Sequence, residues 1–367
     1  MNPPERAPAA LGAALALALL LAGCQAAPAG TGQSDRTERG PSSSESGASR
    51  SSNLPTGFDL EAHRGGRGET TEESRRAFEK ALDLGVTTLE FDIVLAKDAT
   101  PVVWHDPEIL PEKCADTAPA TPDDPQFPYV GDLVHELTWE QLQTLDCSGR
   151  LEGFPNAEQI PENRLLRLSD VFALTKARGA DVHYNIETKL EAIERSKSAE
   201  PEEFVDAILA EVDAADVADK VMIQSFDWRS LPLVHRTHPD IPLVLLWDET
   251  TWISGSQWTG DVDFDEVGGD IVEAAKRVGA AVLSPGYTVP YGRTAGEEGF
   301  RLVADKALCD RAHAAGLAVV PWTINDPDTM AAQIDAGADG IISDYPTMLR
   351  SVMDKRGMDL PTPYPAK

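Results

Sequence analysis

The chain has 367 residues, of which 42% are hydrophobic and 25% are charged, a composition typical of a globular protein with a sizeable core. Its formal net charge of −29, from 61 acidic and 32 basic residues, repels nucleic acid and anionic membrane surfaces. We therefore expect no nucleic-acid partner, whereas small neutral or zwitterionic molecules and divalent cations are compatible with this charge.

The amino-terminal segment is interpreted as a signal peptide over residues 1–23. Its Ala- and Leu-rich run at 9–22 spans about 21 Å as a helix, shorter than the roughly 30 Å of a bilayer core. Leu21-Ala22-Gly23-Cys24 follows and resembles the lipobox of bacterial lipoproteins, in which the cysteine is lipidated. We therefore expect an exported, cell-surface lipoprotein that meets the membrane only through a lipid anchor at Cys24. An ordinary secretory signal, and hence a secreted protein, is the alternative.

Residues 24–53 are rich in Ser, Gly, Ala, Arg and Glu and contain hardly any large apolar side chain. Such a segment cannot bury a core, so it is predicted to be a disordered tether that starts at the lipidated cysteine.

Short apolar strands alternate with amphipathic helices over residues 54–355. Predicted strands lie at 58–63, 87–96, 101–105, 181–189, 220–226, 241–247, 280–284, 318–324 and 340–343. Predicted helices lie at 72–84, 168–177, 201–216, 265–278, 304–315 and 327–336. This alternation indicates an α/β fold with a parallel sheet, and eight units over about 300 residues favour a closed (β/α)8 TIM barrel. An open doubly wound sheet is the alternative, but no GxGxxG motif follows the first strand.

A segment at about 106–166 interrupts the alternation after the second barrel strand. It is rich in Pro and Asp, and we interpret it as an inserted subdomain on the catalytic face. Its Cys114 and Cys147 can pair in an exported protein, and two free buried thiols are the alternative. Cys309 is interpreted as a packed thiol, and residues 356–367 as a carboxyl-terminal tail.

Six short polar segments end predicted strands, which is where the catalytic groups of a (β/α)8 barrel gather. They are 61–66, 89–92, 103–106, 185–189, 224–226 and 321–325. Glu90 and Asp92 are two residues apart on a strand, so their side chains share one face. Their carboxylates repel each other unless a cation or a proton lies between them, and a hard divalent cation fits such ligands. Glu187 can complete a three-carboxylate site, and Lys189 can contact an anionic oxygen.

Taken in order, these segments resemble the glycerophosphodiester phosphodiesterase family over about residues 60–345. The matching motifs are H-R-G at 63–65, E-x-D-V as Glu90-Phe91-Asp92-Ile93, V-x-H-D at 103–106, N-x-E-x-K at 185–189, Q-S-F at 224–226 and W-T-x-N at 322–325. The P-E-N-T of the family is Thr71-Glu72-Glu73-Ser74 in this chain, a departure that could alter the loop beside His63 and the substrate preference.

The resemblance implies metal-dependent hydrolysis of small glycerophosphodiesters to glycerol 3-phosphate and an alcohol, with one Ca²⁺ or Mg²⁺. The implied metal ligands are Glu90, Asp92 and Glu187. The implied general acid and base are His63 and His105. The implied substrate contacts are Arg64 and Lys189 for the phosphate, with Phe226 and Trp322 for the glycerol or alcohol portion. The alcohol, the choice of cation and the oligomeric state stay open.

Two other functions compete with this interpretation. A related enzyme that acts on intact phospholipid is disfavoured by the acidic composition and by the lack of an obvious apolar surface helix. A tethered binding protein without catalytic activity is compatible with the same barrel. Such a protein is expected to have lost at least one metal-binding carboxylate or catalytic histidine, and the sequence keeps all of them.

Overall fold

The computed structural model describes residue 51 and residues 53–366, so the predicted signal peptide, Cys24 and most of the predicted tether lie outside the described residues. The strands are Asp59–Ala62 (β1), Thr88–Leu95 (β2), Pro101–Val103 (β3), Leu166–Arg167 (β4), His183–Thr188 (β5), Val221–Ser225 (β6), Leu243–Trp247 (β7), Val282–Pro285 (β8), Ala318–Val319 (β9) and Gly340–Ser343 (β10). The helices are Arg75–Leu84 (α1), Trp139–Leu142 (α2), Leu168–Arg178 (α3), Pro201–Ala215 (α4), Leu231–Thr237 (α5), Ile271–Val278 (α6), Lys306–Ala314 (α7), Pro327–Ala336 (α8) and Pro346–Lys355 (α9). Within the described part of the chain, no helix combines the length and the apolar character that crossing a bilayer requires.

Eight parallel strands follow one another in the order β10, β1, β2, β5, β6, β7, β8 and β9. Backbone hydrogen bonds then join the two ends of this order, from Asp339 N to Val319 O at 2.8 Å and from Ile342 N to Pro321 O at 3.1 Å. The sheet is therefore a closed ring surrounded by helices, which confirms the predicted (β/α)8 barrel and excludes the open sheet.

Three predicted helices begin a few residues later than expected, because a polar side chain caps each of them. The Ser74 hydroxyl accepts a hydrogen bond from Ala77 N at the start of α1. Asp270 caps α6 in the same way, and Asp305 caps α7. An Ncap residue has extended backbone angles while its side chain satisfies a free helical N–H, so the helix starts after it.

The main core fills the space between the outer face of the ring and the helices, where Phe78 of α1 packs edge-on against Phe91 of β2 with ring centroids 5.5 Å apart. A smaller apolar cluster lies on the inner face, since side chains alternate along a strand. It contains Leu54, Met222, Val244, Val282, Ala318, Val320 and Ile342. Met222, Val244, Val282 and Ala318 are the first or second residues of their strands, so the cluster lies towards the amino-terminal end of the barrel.

Strand β3 runs antiparallel to β2, with Ile93 opposite Val103, and then pairs with the short strand β4. His105 therefore follows a hairpin strand and not a strand of the barrel ring. The hairpin folds back along β2, so that Trp104 N donates to Asp92 O at 3.1 Å. This reversal brings His105 to the carboxyl end of the barrel.

The segment between β3 and β4 builds a separate apolar core around Ile109, Tyr129, Leu137 and Leu142. Cys114 and Cys147 form a disulfide within it, which settles the question that the sequence left open. Cys309 is a free, buried thiol.

Removing this disulfide is expected to destabilise the folded protein. The bond closes a loop between residues 33 positions apart, and a loop of that length is worth about 3–4 kcal/mol in the chain-entropy model. Urea denaturation of a variant that combines Cys114→Ser with Cys147→Ser should show this loss. Dithiothreitol should reproduce the loss in the wild type and leave the double variant unchanged. An unchanged urea midpoint of unfolding for the wild type after reduction would contradict the expectation.

Candidate active site

The carboxyl ends of the barrel strands surround a cavity of about 240 Å³. Eight of the nine predicted site residues line it, namely His63, Arg64, Glu90, His105, Glu187, Lys189, Phe226 and Trp322. The ninth, Asp92, lies directly behind the lining with a side chain that is 1% exposed. The cavity therefore brings together residues on or just after β1, β2, β5 and β6. Residues of the β3 hairpin and of the segment after β9 join them.

Three carboxylates cluster at the base of this cavity. Glu90 and Asp92 lie on β2, and Glu187 on β5 is the direct ladder partner of Asp92. One oxygen of each carboxylate lies within 4.8 Å of the other two. Burial, and then the charge of Asp92, raise the pKa of Glu90 well above its usual range and that of Glu187 to about 7. Burial also favours neutral Asp92, but the charges of Lys189 and Arg64 hold its pKa well below the usual range.

The carboxylate cluster fits a hard divalent cation. All three groups offer oxygen ligands, and Ca²⁺ and Mg²⁺ both prefer oxygen. Asp92 Oδ2 is buried and accepts no hydrogen bond, although Arg64 Nε lies 3.0 Å from it. A cation among the carboxylates would offset their mutual repulsion and would give this oxygen a partner.

Neighbouring groups fix the orientation of the carboxylates. Gln224 Nε2 donates to Glu90 Oε1 at 2.6 Å, and the backbone N–H of Arg64 donates to Glu90 Oε2 at 2.9 Å. The backbone N–H of Asp92 donates to Glu73 Oε1 at 2.9 Å. The sequence left Gln224 open between positioning its neighbours and contacting substrate, and the structure shows it on Glu90. Glu73, which lies where the family's P-E-N-T motif is replaced, was not singled out.

His63 lies on a single 3-10 turn, His63–Gly65, directly after β1. The turn is left-handed at Arg64 and at Gly65, where a Cβ atom would lie 2.9 Å from Ala77 Cβ, so only glycine fits at residue 65. His63 Nδ1 lies 2.5 Å from Asp344 Oδ1, and its Nε2 lies 4.0 Å from Glu90 Oε2. The turn therefore places this imidazole between a carboxylate and the candidate metal site.

His105 has a similar arrangement, with its Nδ1 at 2.9 Å from Asp106 Oδ1. Burial, and then the charges of Arg64 and Lys189, lower the pKa of His105 to about 3. Burial also lowers the pKa of His63, despite the Asp344 carboxylate beside it. Both imidazoles are therefore neutral near pH 7. With the Nδ1 proton donated to a carboxylate, each Nε2 is left as a proton acceptor.

Both predicted phosphate contacts lie beside the carboxylates. Arg64 Nη1 donates to Glu72 Oε2 at 3.2 Å, and Lys189 Nζ donates to Glu187 Oε1 at 2.8 Å. Lys189 Nζ also lies 3.8 Å from Asp92 Oδ1. A buried and a half-buried cation therefore share the cavity wall with the carboxylate cluster, in a position to contact an anionic ligand as well.

Arg67, Tyr291 and Asp344 also line the cavity, and sequence reasoning did not select them. Asp344 directly follows β10, so the rule that catalytic groups gather at strand ends would have found it. Tyr291 lies in the long connection between β8 and α7, where no motif marks it. Arg67 lies just after the H-R-G motif, and its Nε is 3.1 Å from Glu72 Oε2.

A family profile described as the glycerophosphoryl diester phosphodiesterase family matches residues 63–348. The chain is 26% identical over 296 residues to a glycerophosphodiester phosphodiesterase of Caldanaerobacter subterraneus subsp. tengcongensis, an alignment covering 81% of this chain and 98% of that protein. A crystal structure from Silicibacter pomeroyi, assigned to glycerophosphoryl diester phosphodiesterases, has 25% identity and a TM-score of 0.67, with 83% of this chain and 96% of that chain covered.

The fold is also similar to an Oleispira antarctica phosphodiesterase solved with its product sn-glycerol 3-phosphate, with 19% identity, a TM-score of 0.58, and 81% and 97% of the two chains covered. The family match covers most of the chain, including every residue of the carboxylate cluster and both histidines. The chain therefore belongs to the glycerophosphoryl diester phosphodiesterase family, and it is an enzyme of that family.

Proposed function

We propose that the enzyme hydrolyses water-soluble glycerophosphodiesters to glycerol 3-phosphate and an alcohol, using one divalent cation and the two histidines. One observation carries this proposal: two imidazoles, each backed by a carboxylate, open into the same cavity as a cluster of three metal-ligating carboxylates. The relative from Caldanaerobacter, named a glycerophosphodiester phosphodiesterase, supports the substrate class.

Glu90, Asp92 and Glu187 would hold the cation, which supplies positive charge to the phosphoryl oxygens in the transition state. Arg64 and Lys189 would contribute to the same stabilisation, since the buried Arg64 and the half-buried Lys189 both line the cavity. Because the three carboxylates and Arg64 are buried, their charges act more strongly there than they would in solution.

The histidines would exchange protons with the substrate. The glycerol 2-hydroxyl attacks phosphorus, and one Nε2 takes its proton as the P–O bond to the alcohol breaks. The other imidazole, protonated in response to the negative charge of the bound phosphate, gives its proton to the leaving alkoxide. Water then opens the cyclic phosphate to glycerol 3-phosphate. Full turnover of a substrate that lacks the 2-hydroxyl would exclude this route.

The direct test is the release of glycerol 3-phosphate from glycerophosphocholine with Ca²⁺, with Mg²⁺ and with EDTA. Release that requires a divalent cation would support the proposal and identify the cation. If folded protein released no product with either cation, this substrate class would be discarded, and intact phospholipid or a role without catalysis would be tested next.

We also propose that the protein is exported and anchored at Cys24, on the strength of the Leu21–Cys24 segment. Cys24→Ala is expected to move the protein from the membrane fraction to the soluble fraction and to abolish partition into detergent. Cell fractionation with Triton X-114 measures both properties. An unchanged distribution of the Cys24→Ala protein would contradict the lipid anchor, and release of the wild type into the medium would indicate a secreted protein.

A further inference from the structure

Three aromatic side chains line one side of the catalytic cavity. Phe226 follows β6, Tyr291 lies in the connection after β8, and Trp322 follows β9. The ring centroids of Phe226 and Trp322 are 5.3 Å apart, as are those of Tyr291 and Trp322. Trp322 Nε1 donates to Ser284 O at 2.9 Å, which fixes the indole in place. We call Phe226, Tyr291 and Trp322 the aromatic wall.

The order of strands in the ring separates the aromatic wall from the charged residues. Adjacent strands β1, β2 and β5 lead to Arg64, the carboxylate cluster and Lys189, whereas the aromatic wall follows β6, β8 and β9. In an eight-stranded ring with this order, β8 lies across the barrel from β2. A ligand that fills the cavity therefore has a cationic, metal-binding side and an aromatic side.

Acidic groups surround the aromatic wall. Tyr291 N donates to Glu249 Oε1 at 2.9 Å, and burial together with the charges of Asp344 and Asp248 raises the pKa of Tyr291. Other groups already donate to these carboxylates: Thr250 and Thr251 to Asp248, and Asn325 and His63 to Asp344. They supply negative potential at the wall, and several of their oxygens already accept hydrogen bonds from the protein.

Gly286 keeps the space beside the wall open. A Cβ atom on this residue would lie 3.3 Å from Tyr291 Cδ2 and 3.6 Å from Trp322 Cη2. Any larger side chain would occupy the volume next to the two rings. Tyr291 itself is 44% exposed, so the wall reaches from the cavity to the surface.

We propose that the aromatic wall selects glycerophosphodiesters whose alcohol carries a quaternary ammonium group, such as choline. This proposal rests on the function proposed above, because it assigns the far end of the same substrate. A quaternary ammonium cannot donate hydrogen bonds, and it is held instead by aromatic faces and negative potential. The phosphate would lie at the cationic side and the ammonium at the aromatic side, so the charge of a zwitterionic substrate matches the cavity at both ends.

Three substrates test the proposal on the wild-type enzyme with its cation: glycerophosphocholine, glycerophosphoethanolamine, and the uncharged analogue with a 3,3-dimethylbutyl group. The analogue has the shape of choline without its charge. We expect kcat/KM for glycerophosphocholine to exceed that for the analogue by about five- to thirty-fold, as cation–π contacts in partly desolvated sites allow. Glycerophosphoethanolamine should also be the poorer substrate.

Two matched variants of one residue assign the preference to the wall. Tyr291→Leu removes the aromatic face and should bring the choline-to-analogue ratio close to one. Tyr291→Phe keeps the face and loses only the hydroxyl, which accepts from Thr323 N at 3.2 Å, so it should keep the wild-type ratio. A Tyr291→Leu protein that retains the wild-type ratio would overturn the proposal.

The outcomes separate this proposal from the proposed function. Hydrolysis of all three wild-type substrates at equal kcat/KM would overturn the choline preference and leave the diesterase function intact. Hydrolysis of none of them, with any cation, would overturn both. The wild-type comparison alone decides the preference if Tyr291→Leu does not fold.

Discussion

Replacing His63 with alanine is expected to lower kcat for glycerophosphocholine by about 10²–10⁴-fold, the range that general acid–base groups contribute. Its Nδ1 contacts Asp344 and its Nε2 faces Glu90, so the imidazole is held with one nitrogen free to exchange a proton with the substrate. Steady-state kinetics with the preferred cation measures the loss. KM should change much less than kcat, because the cation and the two basic residues still bind the phosphate.

The matched control is His183→Ala, the same substitution in a half-buried histidine at the opposite end of the barrel, where β5 begins. It should leave kcat near the wild-type value. A His63→Ala enzyme as active as this control, at equal thermal stability, would exclude His63 from catalysis. His105→Ala should resemble His63→Ala, since its imidazole has the same kind of carboxylate partner.

Substituting Glu187→Gln is expected to weaken binding of the divalent cation at least tenfold and to lower kcat/KM by about 10²–10³-fold at low cation concentration. The change removes one of three charged ligands while it keeps the shape of the side chain. Excess cation should restore part of the activity, because Glu90 and Asp92 remain. Calorimetric titration with Ca²⁺ and Mg²⁺ gives the affinities, and a cation series gives the recovery.

Folding and metal binding can be separated in this variant. Burial and Asp92 raise the pKa of Glu187 to about 7, which means that the folded protein disfavours its charged form. Removing that charge should therefore cost the cation-free protein little stability near neutral pH. Glu191→Gln, a change to a carboxylate outside the cluster, is the control and should bind cation like the wild type. Equal cation affinities for the two variants would exclude Glu187 as a ligand.

The barrel and most of its site could be predicted because each depends on local patterns. Strands of four to eight residues show continuous apolar runs, and the functional side chains of a barrel lie at the ends of those runs. Glu90 and Asp92 on one strand and Glu187 on another are examples. The structure adds the register, which places Asp92 directly opposite Glu187.

A strand at 101–105 was predicted, but its antiparallel pairing with β2 was not, for a physical reason. Its reversal requires a left-handed residue, and Ala99 with φ of 60° occupies that position. Alanine rarely adopts such a conformation, so no glycine or asparagine marked the turn. Strands β3 and β4 are also short, and their pairing depends on contacts between residues about 65 positions apart.

Asp344 could have been found from its place after β10, but its partner could not, because such contacts join distant segments. Asp344 touches His63 across 281 positions, and Lys113 of the inserted segment contacts both Glu72 and Asp106. Such long-range contacts leave no periodic pattern in the sequence from which they could be predicted. The helices α5 and α9 were missed as well: α5 is short, at seven residues, and α9 begins at a proline beyond the last motif.

Leu54 occupies the amino-terminal end of the barrel, beside Met222 and Val244, and Asn53 Nδ2 donates to Asp240 O at 3.0 Å. The chain therefore enters the folded unit at the end opposite the catalytic cavity. The cavity mouth at the far end of the barrel from residue 53 can therefore receive substrates from solution while the chain is held through that residue.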